Sequence, residues 1–365
     1  MDTTRETTSA PTRRRVLGAG LTSAAVTGLG LATGSPASAA TSTTGGLTFH
    51  DGHGVTVRDA QRWDWEPRLV YLRLGTPEIT GWGGGGPGVN IVLPTDYDTS
   101  GKSYPVVHLY HGGGANADFR HWHSMGDHRM LLDATRDVDA IFVTPDISKG
   151  GWGLDARLEW FLLKRNWATF HLDQLIPWVD ANLRTIPDAA ARGVAGHSMG
   201  GFAALHHMAK RPDLFAAVSS FSGPSDLGHP SLQTYAYVSP VVDNLQPGAL
   251  LGPPTRWSTD MVPVPLLKHL PPLEEGGDPA VWASENPRAH LDSFVGKRVS
   301  LVAGTDTADA NEGPVIKDQP QFAELLRGRG VDVTQYQLEG SHADTVLTAF
   351  PKELPGIIAG LTTAR

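Results

Sequence analysis

The chain has 365 residues, 40% of them hydrophobic, and a formal net charge of −8 at pH 7. A chain of this length can bury one large core or two medium ones, and an acidic balance without a basic stripe argues against binding to nucleic acid or to an anionic membrane surface. Because the sequence contains no cysteine, disulfides, thiolate catalysis, zinc–cysteine sites and lipid attachment at cysteine are excluded.

The first 39 residues are predicted to be a twin-arginine signal peptide. Arg13 and Arg14 precede a weakly apolar stretch over residues 18–34, and residues 37–39 form an A-x-A cleavage site. A transmembrane anchor is the weaker alternative, because this Gly- and Thr-rich stretch falls short of a comfortable span of about 20 residues. We therefore expect export with cleavage, a mature chain that begins near Ala40, and a location outside the cell or in the cell envelope.

After a polar lead-in over residues 40–62, strands alternate with helices through a single catalytic domain at 63–365. Alternating and continuous apolar runs predict strands at 63–74, 89–94, 104–110, 140–145, 192–197, 215–223, 298–304 and 331–338. Spacings of three and four residues predict helices at 166–183, 202–210 and 321–329 and a helical tail from 343, with a kink at Pro177. This alternation indicates an α/β fold with a mostly parallel central sheet flanked by helices.

A glycine-rich loop follows the predicted strand at 104–110. His111 is followed by Gly112, Gly113 and Gly114, and an HGGG loop after a buried strand is typical of the oxyanion apparatus of serine hydrolases. Glycines let backbone N–H groups approach a substrate carbonyl without obstruction. A flexible surface loop is the alternative.

Four polar residues after this loop could form a metal cluster: His121, His123, Asp127 and His128. Their spacing fits no compact zinc motif. We therefore expect polar rim histidines, with neither a metal ion nor another cofactor.

The sequence around Ser198 fits a nucleophile elbow, G-x-S-x-G. Gly196 and Gly200 stand two residues before and after the serine, between a predicted strand and a predicted helix. The turn would lift the hydroxyl above the strand and aim the helix N-terminus at the same point. A glycine-rich turn with an idle serine is the alternative.

Residues 224–277 interrupt the alternation of strands and helices. They are rich in Pro and Gly and show no clear elements. Such a long stretch after a sheet strand is predicted to be a lid-like insertion or a substrate wall. A disordered linker is the alternative, although the stretch contains Tyr235, Tyr237 and Trp257.

The last two predicted strands are each followed by polar residues suited to catalysis. Asp306, Asp309 and Glu312 follow the strand at 298–304, and His342 follows the strand at 331–338. The order serine, acid, histidine is that of α/β-hydrolases. The residues themselves leave open which of the three carboxylates serves.

With these pieces assembled, the chain resembles the esterase D and antigen 85 mycolyltransferase family. The likeness spans residues 66–360 and rests on motifs at 106–122 (VVHLYHGGGANADFRHW), 151–152, 167–183, 196–201, 278–287, 311–313 and 340–342. The resemblance implies an α/β-hydrolase fold, with Ser198 as nucleophile, His342 as base and Glu312 as acid. It also implies an oxyanion hole from the N–H groups of Gly113 and Met199.

These observations predict a secreted serine carboxylesterase that works without a cofactor through an acyl-enzyme. The alternatives are an acyltransferase of mycolyl or diacylglycerol type, with a sugar or glycerol hydroxyl as acceptor, and a non-catalytic adhesion protein. The ordinary esterase elbow and the long Pro-rich insertion favour hydrolysis over mycolyl transfer. The expected partner is a small-molecule, lipid or glycan ester, with no nucleic acid and no membrane span after cleavage.

Overall fold

The computed structural model describes residues 41–125, 129–157, 163–245, 247, 249–251, 253–256, 258 and 277–365. The predicted signal peptide, Ala40, Asp127, His128, Trp257 and residues 259–276 of the Pro-rich stretch lie outside these residues.

A nine-stranded sheet forms the centre of the described domain, in the order β11-β10-β9-β8-β6-β7-β5-β4-β3. Strands β6 to β11 run parallel, whereas β5, β4 and β3 continue the sheet by antiparallel pairing. The strands are β3 (Thr56–Trp63), β4 (Glu66–Gly75), β5 (Gly88–Val92), β6 (Val106–Tyr110), β7 (Ile141–Pro145), β8 (Arg192–His197), β9 (Ala217–Phe221), β10 (Arg298–Ala303) and β11 (Asp332–Gln337). The prediction of a mostly parallel central sheet is confirmed.

The stretch predicted as a lead-in contains strands of its own. A hairpin pairs β1 (Thr41–Thr44) with β2 (Leu47–His50), and most of β3 also lies here. Strand β3 was not predicted because it lies at the edge of the sheet, where its polar side chains are mostly exposed or half-buried and give no apolar alternation.

Helices cover both faces of the sheet. They are α1 (His121–Ser124), α2 (Met130–Ala134), α3 (Trp167–Thr169), α4 (Ile176–Asn182), α5 (Met199–Lys210), α6 (Pro230–Val238), α7 (Pro279–Glu285), α8 (Glu312–Arg327) and α9 (Thr345–Ala359). Short 3₁₀ helices lie at Gly83–Gly85, Ala189–Ala191, Pro212–Leu214, Ser239–Asp243 and Pro287–Phe294. Side chains of β8 alternate between the two core layers, so that Val194 packs in the layer of α5 and α8, whereas Ala195 packs in that of α1 and α9.

The predicted helix at 166–183 is divided into three segments. A π-helical segment, Phe170–Leu175, separates α3 from α4. Pro177 stands in the first turn of α4, and because it has no N–H it cannot bond the carbonyl four residues earlier. The interruption predicted from Pro177 is therefore present, in the form of a widened turn.

The prediction that residues 224–277 lack elements was wrong for their first part. Helix α6 begins with Pro230, which is tolerated in a first turn, and it buries Leu232 and Ala236 at a spacing of four residues. The 3₁₀ helix Ser239–Asp243 follows directly. Proline content thus concealed an ordinary amphipathic helix.

Within the described ranges, no helix combines the length and the apolar character needed to cross a membrane.

Candidate active site

Ser198 lies on a sharp turn between β8 and α5. Its backbone has φ 56° and ψ −120°, a left-handed conformation that an L-residue adopts only under constraint. A side chain at Gly196 would collide with the carbonyl of Gly200, and one at Gly200 would collide with the carbonyls of Tyr110 and His111. The two glycines flanking the predicted elbow are thus required by close backbone packing.

Three predicted site residues form a continuous hydrogen-bonded chain. His342 Nε2 lies 2.7 Å from Ser198 Oγ, and His342 Nδ1 lies 2.6 Å from Glu312 Oε2. Because the carboxylate accepts from Nδ1–H, Nε2 has a free lone pair directed at the serine hydroxyl. The imidazole is therefore oriented to take the Ser198 proton.

Glu312 is completely buried, with 0% of its surface exposed. It is the first residue of α8, and its carboxylate accepts hydrogen bonds from Ser222 Oγ at 2.9 Å and from the backbone N–H of Gly304. A buried carboxylate without partners would be strongly disfavoured. These donors, with the imidazole, hold its oxygens in place.

The other two candidate acids occupy different positions. Asp306 is exposed, and its carboxylate accepts only from Ala308 N among the described residues. Asp309 Oδ2 accepts from the backbone N–H of His342 at 3.1 Å. Burial acts to raise the pKa of Asp309, but backbone N–H donors, first that of His342, outweigh it and lower the pKa. Asp309 therefore fixes the backbone of His342 rather than its ring.

His197 holds the other side of the same backbone. Its Nε2 lies 2.9 Å from the carbonyl oxygen of His342, and its Nδ1 lies 3.3 Å from His121 Nε2. Burial lowers the pKa of His197 well below its usual value and that of His121 to about 4, so both rings are neutral at pH 7. His197 can then donate to the carbonyl while accepting from His121. Sequence analysis identified neither contact, although His197 lies within the elbow motif.

The N–H groups predicted for the oxyanion hole belong to residues that lie beside Ser198. A Cβ at Gly113 would lie 3.3 Å from Met199 Sδ, which places the HGGG loop against the start of α5. Within the described part of the chain, neither N–H donates to another group. His111 shapes this loop: it accepts from Ile147 N through Nε2 at 3.1 Å and donates from Nδ1 to Gly112 O at 2.7 Å.

A cavity of about 250 Å³ opens beside Ser198. Its apolar walls include Trp152, Leu232, Tyr235 and Val315. Two of these, Leu232 and Tyr235, come from α6, so the insertion after β9 contributes a wall of the cavity. Tyr235 packs edge-on against Trp152 with 5.8 Å between ring centroids.

A second link joins this wall to the loop after β7. Asp243 accepts from the backbone N–H groups of Lys149 at 2.9 Å and Gly150 at 3.3 Å, and Ser239 Oγ donates to Gly150 O at 2.7 Å. The carbonyl of Lys149 in turn accepts from Gly114 N at 2.8 Å. The insertion and the glycine-rich loop are therefore connected through one short segment.

Of the four candidate metal residues, the structure describes only His121 and His123. Among the described residues, no three His, Asp or Glu side chains are grouped as a metal ion would require. His121 is engaged with His197, and His123 Nε2 lies 3.5 Å from Thr144 Oγ1.

Comparison with known protein sequences links the chain to a family of esterases. Residues 84–360 match the sequence profile of a family described as "Putative esterase". Esterase Rv1288 of Mycobacterium tuberculosis (strain ATCC 25618 / H37Rv) is 37% identical over 322 residues, which cover 86% of this chain and 63% of that protein. The chain thus spans less than two thirds of this curated relative.

Solved structures support the same architecture. Mycobacterium tuberculosis MPT51 (FbpC1) has a TM-score of 0.54 at 15% identity and covers 76% of this chain and 94% of its own. FphF, a fluorophosphonate-binding serine hydrolase of Staphylococcus aureus, has a TM-score of 0.53 at 16% identity, with coverages of 80% and 98%. At these identities the likeness shows the fold alone. The predicted α/β-hydrolase fold and the resemblance to the esterase and antigen 85 family are confirmed.

Proposed function

The chain belongs to this esterase family, and on that premise we propose that it hydrolyses carboxylic esters through Ser198, His342 and Glu312. The observation that carries the proposal is the unbroken chain from Ser198 Oγ through His342 to Glu312, with distances of 2.7 and 2.6 Å. Serine, base and orienting acid within hydrogen-bonding reach are the arrangement that activates a hydroxyl nucleophile.

The reaction begins with attack of Ser198 Oγ on the ester carbonyl carbon. His342 Nε2 takes the hydroxyl proton, and the negative charge of Glu312 stabilises the imidazolium that forms. The carbonyl oxygen becomes an oxyanion facing the N–H groups of Gly113 and Met199. The C–O bond to the alcohol then breaks, the imidazolium protonates the departing alkoxide, and the acyl group remains on Ser198.

Water resolves the acyl-enzyme by the same steps in reverse. His342 removes a proton from the water as it attacks the acyl carbon, and it returns the proton to Ser198 Oγ when the carboxylic acid leaves. A sugar or glycerol hydroxyl in place of water would give acyl transfer. An excess of such an acceptor in the assay distinguishes the two outcomes, because transfer yields a new ester.

The size of the cavity supports a short or medium acyl group. At about 250 Å³ it lies slightly below the range usual for sites that enclose drug-sized ligands. Its apolar walls at Trp152, Leu232 and Tyr235 suit a hydrocarbon chain. We therefore assign this cavity to the acyl group rather than to the alcohol.

The working location is proposed to be outside the cytoplasmic membrane. The support is in the sequence alone: the arginine pair, the weakly apolar stretch and the A-x-A site at 37–39. A fold without cysteine suits twin-arginine export, which carries proteins that are already folded.

Labelling with a fluorophosphonate tests the proposed nucleophile. Wild-type protein should be labelled once, at Ser198, and should release nitrophenol from short nitrophenyl esters. Ser198→Ala should do neither, whereas Ser341→Ala, which removes a hydroxyl bonded to Asp344, should retain both. Labelling of Ser198→Ala at the wild-type rate would refute the assignment.

A further inference from the structure

A second cleft lies on the antiparallel end of the sheet, away from Ser198. It has a volume of about 500 Å³ and shares no lining residue with the cavity beside Ser198. We name it the tryptophan cleft, after Trp63 and Trp65, which line it together with Gln61, Tyr71, Asn90 and Phe119. The proposed ester hydrolysis makes no use of it.

The floor of the tryptophan cleft is a polar row across neighbouring strands. Gln61 of β3 pairs with Tyr71 of β4, which pairs with Asn90 of β5. Asn90 lines the cleft with 5% of its surface exposed, and within the described ranges its side-chain amide makes no hydrogen bond to the protein and is not sealed from solvent. An amide that is open to a cleft and not engaged by a protein group can both donate to and accept from a ligand that enters the cleft.

The walls of the tryptophan cleft are aromatic. Trp65 is 62% exposed, and its ring lies 6.3 Å from that of Trp63 at an angle of 47°. On the other side stands Phe119, with the guanidinium groups of Arg73 and Arg120 at 5.3 and 5.5 Å from its ring centroid. The indole of Trp65 thus gives the cleft an exposed apolar surface.

From this combination we propose that the tryptophan cleft binds a saccharide. The C–H face of a sugar ring is apolar and packs against the electron-rich face of an indole. Its hydroxyls both donate and accept, which matches the unpaired amide of Asn90 and the exposed amide of Gln61. A purely hydrocarbon ligand would leave the Asn90 amide unpaired.

The positively charged rim of the cleft is compatible with two kinds of sugar. Arg73 and Arg120 both line the tryptophan cleft, but Arg120 is paired with Asp118 at its edge. A neutral chain and a uronic-acid chain both offer the ring face and the hydroxyls, and only the second offers carboxylates to the guanidinium groups. Binding tests with a neutral and an acidic oligosaccharide distinguish the two kinds of sugar.

Calorimetric titration of the full chain with unesterified oligosaccharides tests the proposal. The probes are xylotetraose and cellotetraose as neutral chains and tetragalacturonate as the acidic one. We expect binding that Trp65→Ala weakens up to about tenfold, as loss of a stacked ring does. Asn90→Val should also weaken it while leaving the melting temperature unchanged or higher, because the amide it replaces has no protein partner.

Leu325→Ala is the matched control, since it truncates another exposed apolar side chain on a different element. It should leave sugar binding unchanged, and all three variants should hydrolyse a nitrophenyl ester at the wild-type rate. The proposal is overturned if none of the sugars binds the wild-type chain at concentrations up to about 10 mM, or if Trp65→Ala binds as tightly as wild type.

Discussion

Nε2 of His197 lies 2.9 Å from the carbonyl oxygen of His342, so the residue before Ser198 holds the backbone of His342. On its other side, the N–H of His342 donates to Asp309 at 3.1 Å. The imidazole therefore stands on a backbone fixed at both its N–H and its carbonyl. Its position relative to Ser198 depends on these contacts as well as on Glu312.

Loss of either backbone contact should slow catalysis without weakening substrate binding. We expect His197→Phe, which keeps a ring against His121, and Asp309→Ala each to lower kcat between about tenfold and a hundredfold with KM nearly constant, because a small displacement of the base is costly. Asp309→Asn retains an acceptor and should recover most of the rate. Steady-state kinetics on a short nitrophenyl ester decide the matter, and an unchanged kcat in both variants would contradict the positioning role.

Glu312 is predicted to be the acid on which the rate depends most. Glu312→Gln should lower kcat by about 10⁴-fold with little change in KM, because it keeps the shape and removes the charge that stabilises the imidazolium. Asp306→Asn, in an exposed side chain of the same loop, is the control and should stay close to wild type. The assignment fails if Asp306→Asn is the crippled enzyme and Glu312→Gln is not.

Ser198 and His342 should behave as one unit in a double mutant. Ser198→Ala and His342→Ala are each expected to abolish measurable ester turnover, and the double variant should be little worse than either, because the two groups act in a single proton transfer. Fluorophosphonate labelling and turnover of the same preparations provide the measurement. Effects that simply add would show that the residues act independently.

Tyr235 should limit the length of the acyl chain. Tyr235→Ala removes one wall of the cavity beside Ser198, so we expect the ratio of kcat/KM for hexanoate over acetate esters to rise by about tenfold. Tyr237→Ala, on the same helix but outside the cavity lining, is the control. An unchanged ratio in Tyr235→Ala would place the acyl chain elsewhere.

Asp243 should make stability fall as pH rises. Burial raises the pKa of its carboxyl to about 6, although backbone N–H donors oppose the shift. Between pH 4 and 6 the folded state then holds a proton that the unfolded state has lost, which corresponds to about 3 kcal/mol over the full titration. Urea unfolding at several pH values should show the stability of wild type declining relative to Asp243→Asn across this window. If the stabilities of the two proteins changed with pH in the same way, the raised pKa of Asp243 would be refuted.

Much of this arrangement could be predicted from the sequence, for local reasons. The flanking glycines identify Ser198, and the loops after the last two strands identify His342 and a group of three acids. Two features could not be predicted from the sequence: the contacts that hold the His342 backbone, which join distant residues, and helix α6, which has an unusual composition. Asp309 and His197 meet His342 across 33 and 145 residues, and α6 was concealed by its prolines. The catalytic roles stay predictions until the variants are assayed.

The hydrogen bonds from Asp243 and Ser239 to Lys149 and Gly150 also restrict the motions by which substrates can enter the cavity beside Ser198. A wall bonded at two points to the loop after β7 is not free to swing as a separate flap, a motion that takes microseconds to milliseconds. Widening of the cavity at this wall is then left to rotation of side chains such as Tyr235, which is half-buried against Trp152. Small esters should therefore reach Ser198 without a flap-opening step.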